Sequence, residues 1–324
     1  MSPAGRQPGV RQGDRLLMPV ALLGGWVGDR WLGDPQRWHP VAGFGRLAAA
    51  LERAVWKPSR AAGALHTAIL LAASAIAVAG GDRALAAHRA ARPVFRALVV
   101  WLTLGGRSLE RTALTMAKLL EAGELERARA LAPALVGRDP SRLDATGLCR
   151  ATIESVAENT SDAVVAPLLW AALLGAPGAA AYRAANTLDA MFGHKSERHL
   201  HFGWASARLD DLAGWPAARM SALLAILWAP AVGGRPGQAW RAAFTDGALH
   251  PSPNAGRIEG AFAGALSREL GGINHYPYGI ERRPRLGTGP APRVADIASA
   301  VKLSRLVGAS AAALLAALAQ ETSR

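Results

Sequence analysis

Apolar runs close to the length of a bilayer-spanning helix, ~20 residues, alternate along this chain with short polar blocks. Ala61 to Gly80 is the clearest span, interrupted only by His66, Thr67 and Ser74. Ala217 to Gly233 and the Ala/Leu-rich end, Leu306 to Ala319, read as further membrane helices, the latter continuing a helix that starts near Asp296. Leu16 to Val27 reads as a short or tilted membrane segment, and without a small-residue cleavage site it predicts no cleaved leader. Val94 to Leu104 is too short to span and predicts a helix extended through Arg107 and Arg111. Ala163 to Tyr182 is long enough, but Pro167, Gly175, Pro177 and Gly178 predict a broken or re-entrant segment. From Ser108 to Gly137 leucines recur at helical spacing among charged residues, the mark of amphipathic helices packed on another surface, divided at Gly123. Gly234 to Leu286 is polar and rich in Gly and Pro, with one helix, Glu259 to Leu270, stopped by Gly271-Gly272. The pattern predicts an all-α polytopic membrane protein with about four to five membrane-associated helices and an amphipathic soluble portion over residues 108–150. Residues 1–14 read as a flexible tail, and 15–324 as a single embedded domain with its motifs concentrated in 151–219.

Composition agrees with a membrane protein: 51% of the 324 residues are hydrophobic, and mean hydropathy is +0.13. The net charge of +13 comes from 37 basic against 24 acidic residues, and only four of the basic residues are Lys. The excess of Arg and Ala looks like a coding bias, and the remaining basicity suits an anionic membrane surface or acidic substrates. Scattered arginines without an aromatic-rich basic stripe exclude nucleic acid as a partner. The single Cys149 excludes an internal disulfide. No Gly-x-x-x-x-Gly-Lys-Ser/Thr loop is present, so a nucleotide would have to be held through carboxylates, Arg and a metal ion. His194, His199 and His201 are poorly spaced for zinc and read as a polar interfacial loop.

The chemistry-bearing residues fall in two blocks that flank the broken apolar run. In the first, a helix would place Glu154, Glu158, Ser161 and Asp162 on one face. Stacked carboxylates repel unless a cation sits among them, and Mg²⁺ is the usual partner. The alternative for Asn159 to Asp162 is a plain helix cap. The second block holds Asn186, Asp189, Lys195, Arg208 and the Asp210-Asp211 pair, with an ordinary Arg208–Asp211 surface pair as its alternative. A straight span between the blocks would put Glu158 and Asp189 on opposite sides of the membrane, so a shared site requires the break. Near the start, Gly28 to Pro35 carries Asp29 and Asp34 on a turn-like sequence followed by His39. Near the end, the loop His250 to Gly256 offers Ser252, Asn254 and backbone amides to an anion, or forms simple turns.

ATIESVAENTSDAVVAPL, ANTLDAMFGHKSER and FGWASARLDD resemble, in order and spacing, the cobalamin-biosynthesis family called CbiB or CobD, the adenosylcobinamide-phosphate synthases. GDRWLGDPQRWHPVAGFGRL, VGRDP, SPNAG and LGG extend the likeness over nearly the whole chain. Three positions depart from the pattern: Pro140 stands where family members tend to have Thr, Gly214 where Asn is frequent, and Ala217 where a Pro precedes the matched Arg219. The resemblance implies a multi-pass inner-membrane ligase with its active site facing the cytoplasm. It would join the carboxylate of adenosylcobyric acid to the amine of (R)-1-amino-2-propanol or its phosphate, with ATP hydrolysed. On that reading Glu158, Asp162, Asp189, Asp210 and Asp211 are expected to hold Mg²⁺ or its waters. Lys195, Arg208 and Arg219 would meet phosphate or the corrin carboxylate, with Asn159, Asn186, Ser252 and Asn254 as hydrogen-bonding partners and Asp29 and Asp34 near the site. His39 or Glu154 would take the amine's proton, beside Glu158 and Lys195 as catalytic residues. The bilayer and other cobalamin-pathway membrane enzymes are the expected neighbours. The competing readings are a non-catalytic membrane signalling protein of the AmpE type and a transporter. Retention of so many membrane-proximal carboxylates and carboxamides favours the enzyme.

Overall fold

The computed structural model describes residues 17–35, 39–194, 196–276 and 279–321. The expected tail, 1–14, lies outside them. Four helical stretches are long and apolar enough to cross a membrane by length and composition: Arg60–Ala84, Ala145–Phe192, Trp204–Val232 and Val294–Glu321. Each contains one of the apolar runs read from the sequence, and the chain is a helical membrane protein.

Helix α1 (Leu17–Leu32) packs along α4 (Ala91–Thr103), while α2 (Pro40–Val55) and α3 (Arg60–Ala84) touch each other and α4 more lightly. Close approach relies on small residues, as is usual between membrane helices. A Cβ at Gly25 would stand 2.5 Å from Val100 Cγ1, and one at Gly63 only 1.7 Å from the Phe202 carbonyl oxygen. Much of α3 faces outward, with Leu65, Ile69 and Ile76 exposed, as a lipid-facing helix would be.

The expected continuation of α4 through Arg107 and Arg111 does not occur. The helix ends at Thr103, the Gly105 amide donates to the Ala163 carbonyl at 3.0 Å, and α5 (Gly106–Glu121) starts anew. Asp29 accepts from the Arg107 amide at 3.2 Å at the start of α5, satisfying one of the free N–H groups that a helix N-terminus leaves. Helix α5 and the short α6 (Leu125–Leu131) are the amphipathic pair foreseen, separated at Gly123, whose φ of +73° favours glycine.

Helix α7 (Ala145–Thr160), capped by Asp144 through the Gly147 amide at 2.7 Å, passes through a single π turn, Ser161–Val165, into α8 (Ala166–Phe192). At Gly175 the backbone leaves helical geometry (φ 72°, ψ −169°), a region essentially reserved for glycine. The chain there doubles back. An unbroken helix would separate Asp162 from Asp189 by ~40 Å at 1.5 Å per residue, whereas here each carboxylate lies within reach of the other's charge. A Cβ at Gly105 would likewise lie 3.6 Å from Ala163 Cβ and 3.9 Å from Arg183 Nη2, one residue from each limb. The broken-segment expectation is met.

Helix α9 (Trp204–Trp228) lies beside α8, and α12 (Val294–Glu321) closes the bundle against α1 and α7. The core positions are largely alanine, among them Ala151, Ala157, Ala217, Ala222, Ala261 and Ala300, with Ile153, Leu148 and Phe262 as larger anchors. Between α9 and α12 the polar region is more ordered than its composition suggests. It forms α10 (Pro236–Phe244), α11 (Ala255–Leu266) and an antiparallel hairpin of β1 (Leu270–Tyr276) and β2 (Gly279–Leu286). The predicted helix 259–270 is corrected accordingly: it begins at Ala255 and ends before Ser267, which adopts φ +52°. Gly271 and Gly272 lie in the hairpin, at its bulge, rather than forming a helix stop.

Candidate functional site

The doubling-back at Gly175 lays the acidic end of α7 beside the acidic end of α8. Asp162 sits in the π turn, and its neighbours in charge are Asp210, Glu158 and Asp189. Asp189, near the end of α8, feels Asp211 and Glu158, and Asp210 on α9 feels Asp189, Asp211 and Glu158. The five carboxylates named from the sequence therefore gather in one place, although they come from three separated stretches. Asn186 donates to Asp210 at 3.2 Å, and a π turn is a common device for re-aiming side chains at a site. One buried hydroxyl in the same region, Tyr182 OH, has no hydrogen-bond partner among the described residues, while the Ser161 hydroxyl lies against the Asp162 carboxyl. Tyr182 feels Asp162, Asp210 and Asp189, while Arg183 beside it feels Asp34 and Asp162.

Hard oxygen donors crowded in this way, with the idle Tyr182 hydroxyl among them, suit Mg²⁺. Among the described residues no three His, Cys, Asp or Glu side chains form a ready-made metal cage.

A second cluster adjoins the first across Glu158, whose other charged neighbours are Arg283, Arg138 and Glu154. Arg138, Glu154, Ser155, Glu158, Tyr276 and Arg283 are among the residues around a cavity of about 120 Å³. Arg138 pairs closely with Glu154, and both are buried. The other Glu154 oxygen accepts from the Gly271 amide at 2.7 Å. Glu259, on α11, is 1% exposed and neither of its oxygens has a hydrogen-bond partner among the described residues. His250 Nε2 and Arg283 Nη1 each stand 4.0 Å from it. Burial, reinforced by Glu154 and Glu158, pushes the Glu259 carboxyl well above the usual range. Burial and then Arg283 push His250 down to about 4. Burial opposes the charge on Arg138, but the Glu154 carboxylate outweighs it and raises that guanidinium's pKa.

The other expected residues are placed as follows. Lys195 lies outside the described residues. His39 caps α2, its Nδ1 accepting from the Val41 amide at 3.1 Å, which is a scaffold contact. Glu154, expected as an alternative base, instead has both oxygens engaged in a buried ion pair and a backbone contact. Asn159 donates back to the Ser155 carbonyl at 3.0 Å on its own helix. Arg208 forms the plain surface pair, 3.8 Å from Asp211 and 69% exposed. Arg219 stacks over Trp215 at 4.0 Å and reaches Asn254 Oδ1 at 3.3 Å, tying α9 to the loop before α11. Asn254 Nδ2 donates to the Asp211 carbonyl at 2.8 Å, so it braces the acidic cluster from behind. That tie explains why Gly214 is tolerated here, since a Cβ at 214 would stand 3.0 Å from Asn254 Nδ2. Ser252 Oγ accepts from the Ala255 amide at 3.1 Å at the start of α11.

Arg138, Arg283, Glu259 and Tyr182 were not foreseen as site residues. Arg138 stood within VGRDP, a matched string with no role attached, and Glu259 and Arg283 stood in a region read mostly as loop. Another cavity, about 410 Å³ between α2, α3, α4 and α8, is walled by Phe44, Ala77, Val78, Phe95 and Val99 and touches the site only through Arg183. Its apolar walls offer little for the chemistry gathered elsewhere.

A family model described as CobD/Cbib protein matches residues 22–304. The chain is 50% identical over 295 residues to "Cobalamin biosynthesis protein CobD" of Mycobacterium tuberculosis, covering 91% of this chain and 94% of that one. It is 46% identical over 293 residues to the protein of the same name from Chromobacterium violaceum, covering 89% and 91%. The corresponding protein of Geobacter metallireducens is 44% identical over 265 residues, covering 80% and 83%. No solved structure matches.

Proposed function

The chain belongs to the CobD/CbiB family of cobalamin-biosynthesis proteins, and from that premise we propose that it is an ATP-dependent amide synthase. The substrates are adenosylcobyric acid and (R)-1-amino-2-propanol or its O-phosphate, joined at the cytoplasmic side of the inner membrane. One observation carries this reading: carboxylates from α7, the π turn, α8 and α9 converge, with carboxamide and hydroxyl groups, where the chain doubles back.

Amide synthesis from a carboxylic acid needs the acid activated, and phosphoryl transfer from ATP does this by making a better leaving group. The catalytic load on the protein is then positioning and charge neutralisation. Glu158, Asp162, Asp189 and Asp210 would hold Mg²⁺, directly or through waters, and the ion would neutralise the nucleotide's phosphates. Asn186 orients Asp210, and Asn254 holds the backbone at Asp211, so the donors are fixed before substrate arrives. Glu158 borders both clusters and, meeting the ion only through water, takes the amine's proton, a role that the engaged oxygens of Glu154 leave to it. Arg183 partly offsets the negative charge from within the bundle.

Replacing Glu158 or Asp189 by Ala abolishes ATP-dependent amide formation by the purified protein, and near-normal turnover would refute the assignment. In cells, deletion creates a requirement for cobinamide. Rescue by cobyric acid would speak against the enzyme and for a signalling or transport role.

A further inference from the structure

The cavity beside the carboxylate cluster leaves buried donors unmet, and the idle Glu259 oxygens do not meet them, standing 4.0 Å from Arg283 Nη1, beyond hydrogen-bond reach. Arg138 Nη1, Arg150 Nε, Arg283 Nε and Asn274 Nδ2 are buried there or alongside, and none has an acceptor among the described residues. Arg138 is 6% exposed and Asn274 1%. Buried donors without acceptors are costly and rare in native proteins, and a group of them in one place marks a missing acceptor. Two guanidiniums, Arg138 and Arg283, border the cavity itself and point to an oxyanion, which planar guanidinium forks match with charge-assisted hydrogen bonds.

Size narrows the choice. A volume of about 120 Å³ is well above the ~10–15 Å³ that one water needs. It is well below the ~300–1,000 Å³ of sites that enclose drug-sized ligands. A phosphate or carboxylate group fits, and a nucleoside does not.

We propose that the cavity lined by Arg138 and Arg283 is a subsite for a small oxyanion, the terminal phosphate or carboxylate of a substrate, separate from the carboxylate cluster. Glu158 forms the wall between the two, so the group held by the arginines lies next to the acids. Only the attribution of the oxyanion to a substrate rests on the synthase reading; the binding site itself does not.

The test is calorimetric titration of the full-length protein in detergent, with EDTA present to remove divalent ions, using inorganic phosphate and then acetate. Saturable binding of either anion is expected, and the preferred one identifies whether the natural group is a phosphate or a carboxylate. Arg283→Gln weakens binding about tenfold, as expected for one lost charge-assisted contact, and Arg283→Lys restores part of it. Glu158→Gln, which is nearly isosteric and removes a negative charge from the wall, tightens binding several-fold. Asp189→Asn leaves it unchanged. The proposal is overturned if neither anion binds saturably, if Arg283→Gln binds as the unaltered protein does, if Glu158→Gln weakens binding, or if Asp189→Asn abolishes it. Because the titrations are metal-free and need no turnover, they stand or fall independently of the amide-formation assay.

Discussion

Glu154→Gln isolates the charge in the Arg138–Glu154 pair, because the amide keeps the shape of the side chain and can still accept from the Gly271 amide that now donates at 2.7 Å. What it removes is the counter-charge of a guanidinium that is 6% exposed. Breaking a buried ion pair by deleting one partner costs roughly 3–5 kcal/mol. Arg138 also feels Glu259, which eases the loss and places the expected cost near the lower limit, about 3 kcal/mol. At ~2 °C per kcal/mol for a chain of this size, the melting midpoint in detergent falls by about 6 °C. The double variant Glu154→Gln/Arg138→Met recovers most of that, since an uncharged pair leaves nothing unpaired, and the thermodynamic cycle yields a coupling of about 3 kcal/mol. The measurement is thermal unfolding of all four proteins under one buffer. A single variant within ~2 °C of the unaltered protein would refute the reasoning and assign the counter-charge of Arg138 to Glu259 instead.

Gly175→Ala forces a Cβ into φ 72°, ψ −169° and is expected to cost about 1–3 kcal/mol, lowering both the melting midpoint and turnover; unchanged values of both would show that the reversal does not depend on glycine. His250 makes stability sensitive to acid. Its pKa is depressed from 6.5 to about 4 by folding, so its contribution is fully present above pH 6.5 and is lost as pH falls from there towards 4, on the order of 3 kcal/mol. His250→Asn should flatten the stability profile over that window, and an unaltered slope in pH-dependent unfolding would exclude this origin. Arg208→Ala, which removes an exposed partner 3.8 Å from Asp211, is expected to change stability by less than about 0.5 kcal/mol; a loss above about 2 kcal/mol in the same unfolding assay would show that the pair is more than a surface contact.

The membrane helices were legible because a bilayer leaves few alternatives: an apolar run of sufficient length has to be helical, and its proline and glycine interruptions fall where backbone geometry yields. Ala61 to Gly80 and Gly175 show this directly. The carboxylate cluster was legible for a related reason, since Glu158 and Asp189 on a straight span would have served nothing in common. The pairing of Arg138 with Glu154 was not, because nothing local distinguishes a buried arginine from an exposed one in a chain with this much Arg. The hairpin was missed for a physical reason as well. LGGINHY and GIERRPRL lack clean alternation, and their pairing is set by contacts with α7 and α11 rather than by the strands' own pattern. His39, Arg219 and Ser252 teach a complementary lesson. Each matches the family's pattern, yet each holds a helix end or a loop in place.

The reversal at Gly175 also changes how the chain should be counted. Hydropathy alone would score 145–192 as one passage from one compartment to the other, yet Asp162 and Asp189, on either side of the break, come back to one level. Reporters fused just before Ala145 and just after Phe192 should therefore show the same sidedness, and every assignment downstream inverts relative to a simple tally. The segment acts less as a partition than as a peg driven part-way in, and it keeps the carboxylates of both its limbs at one level.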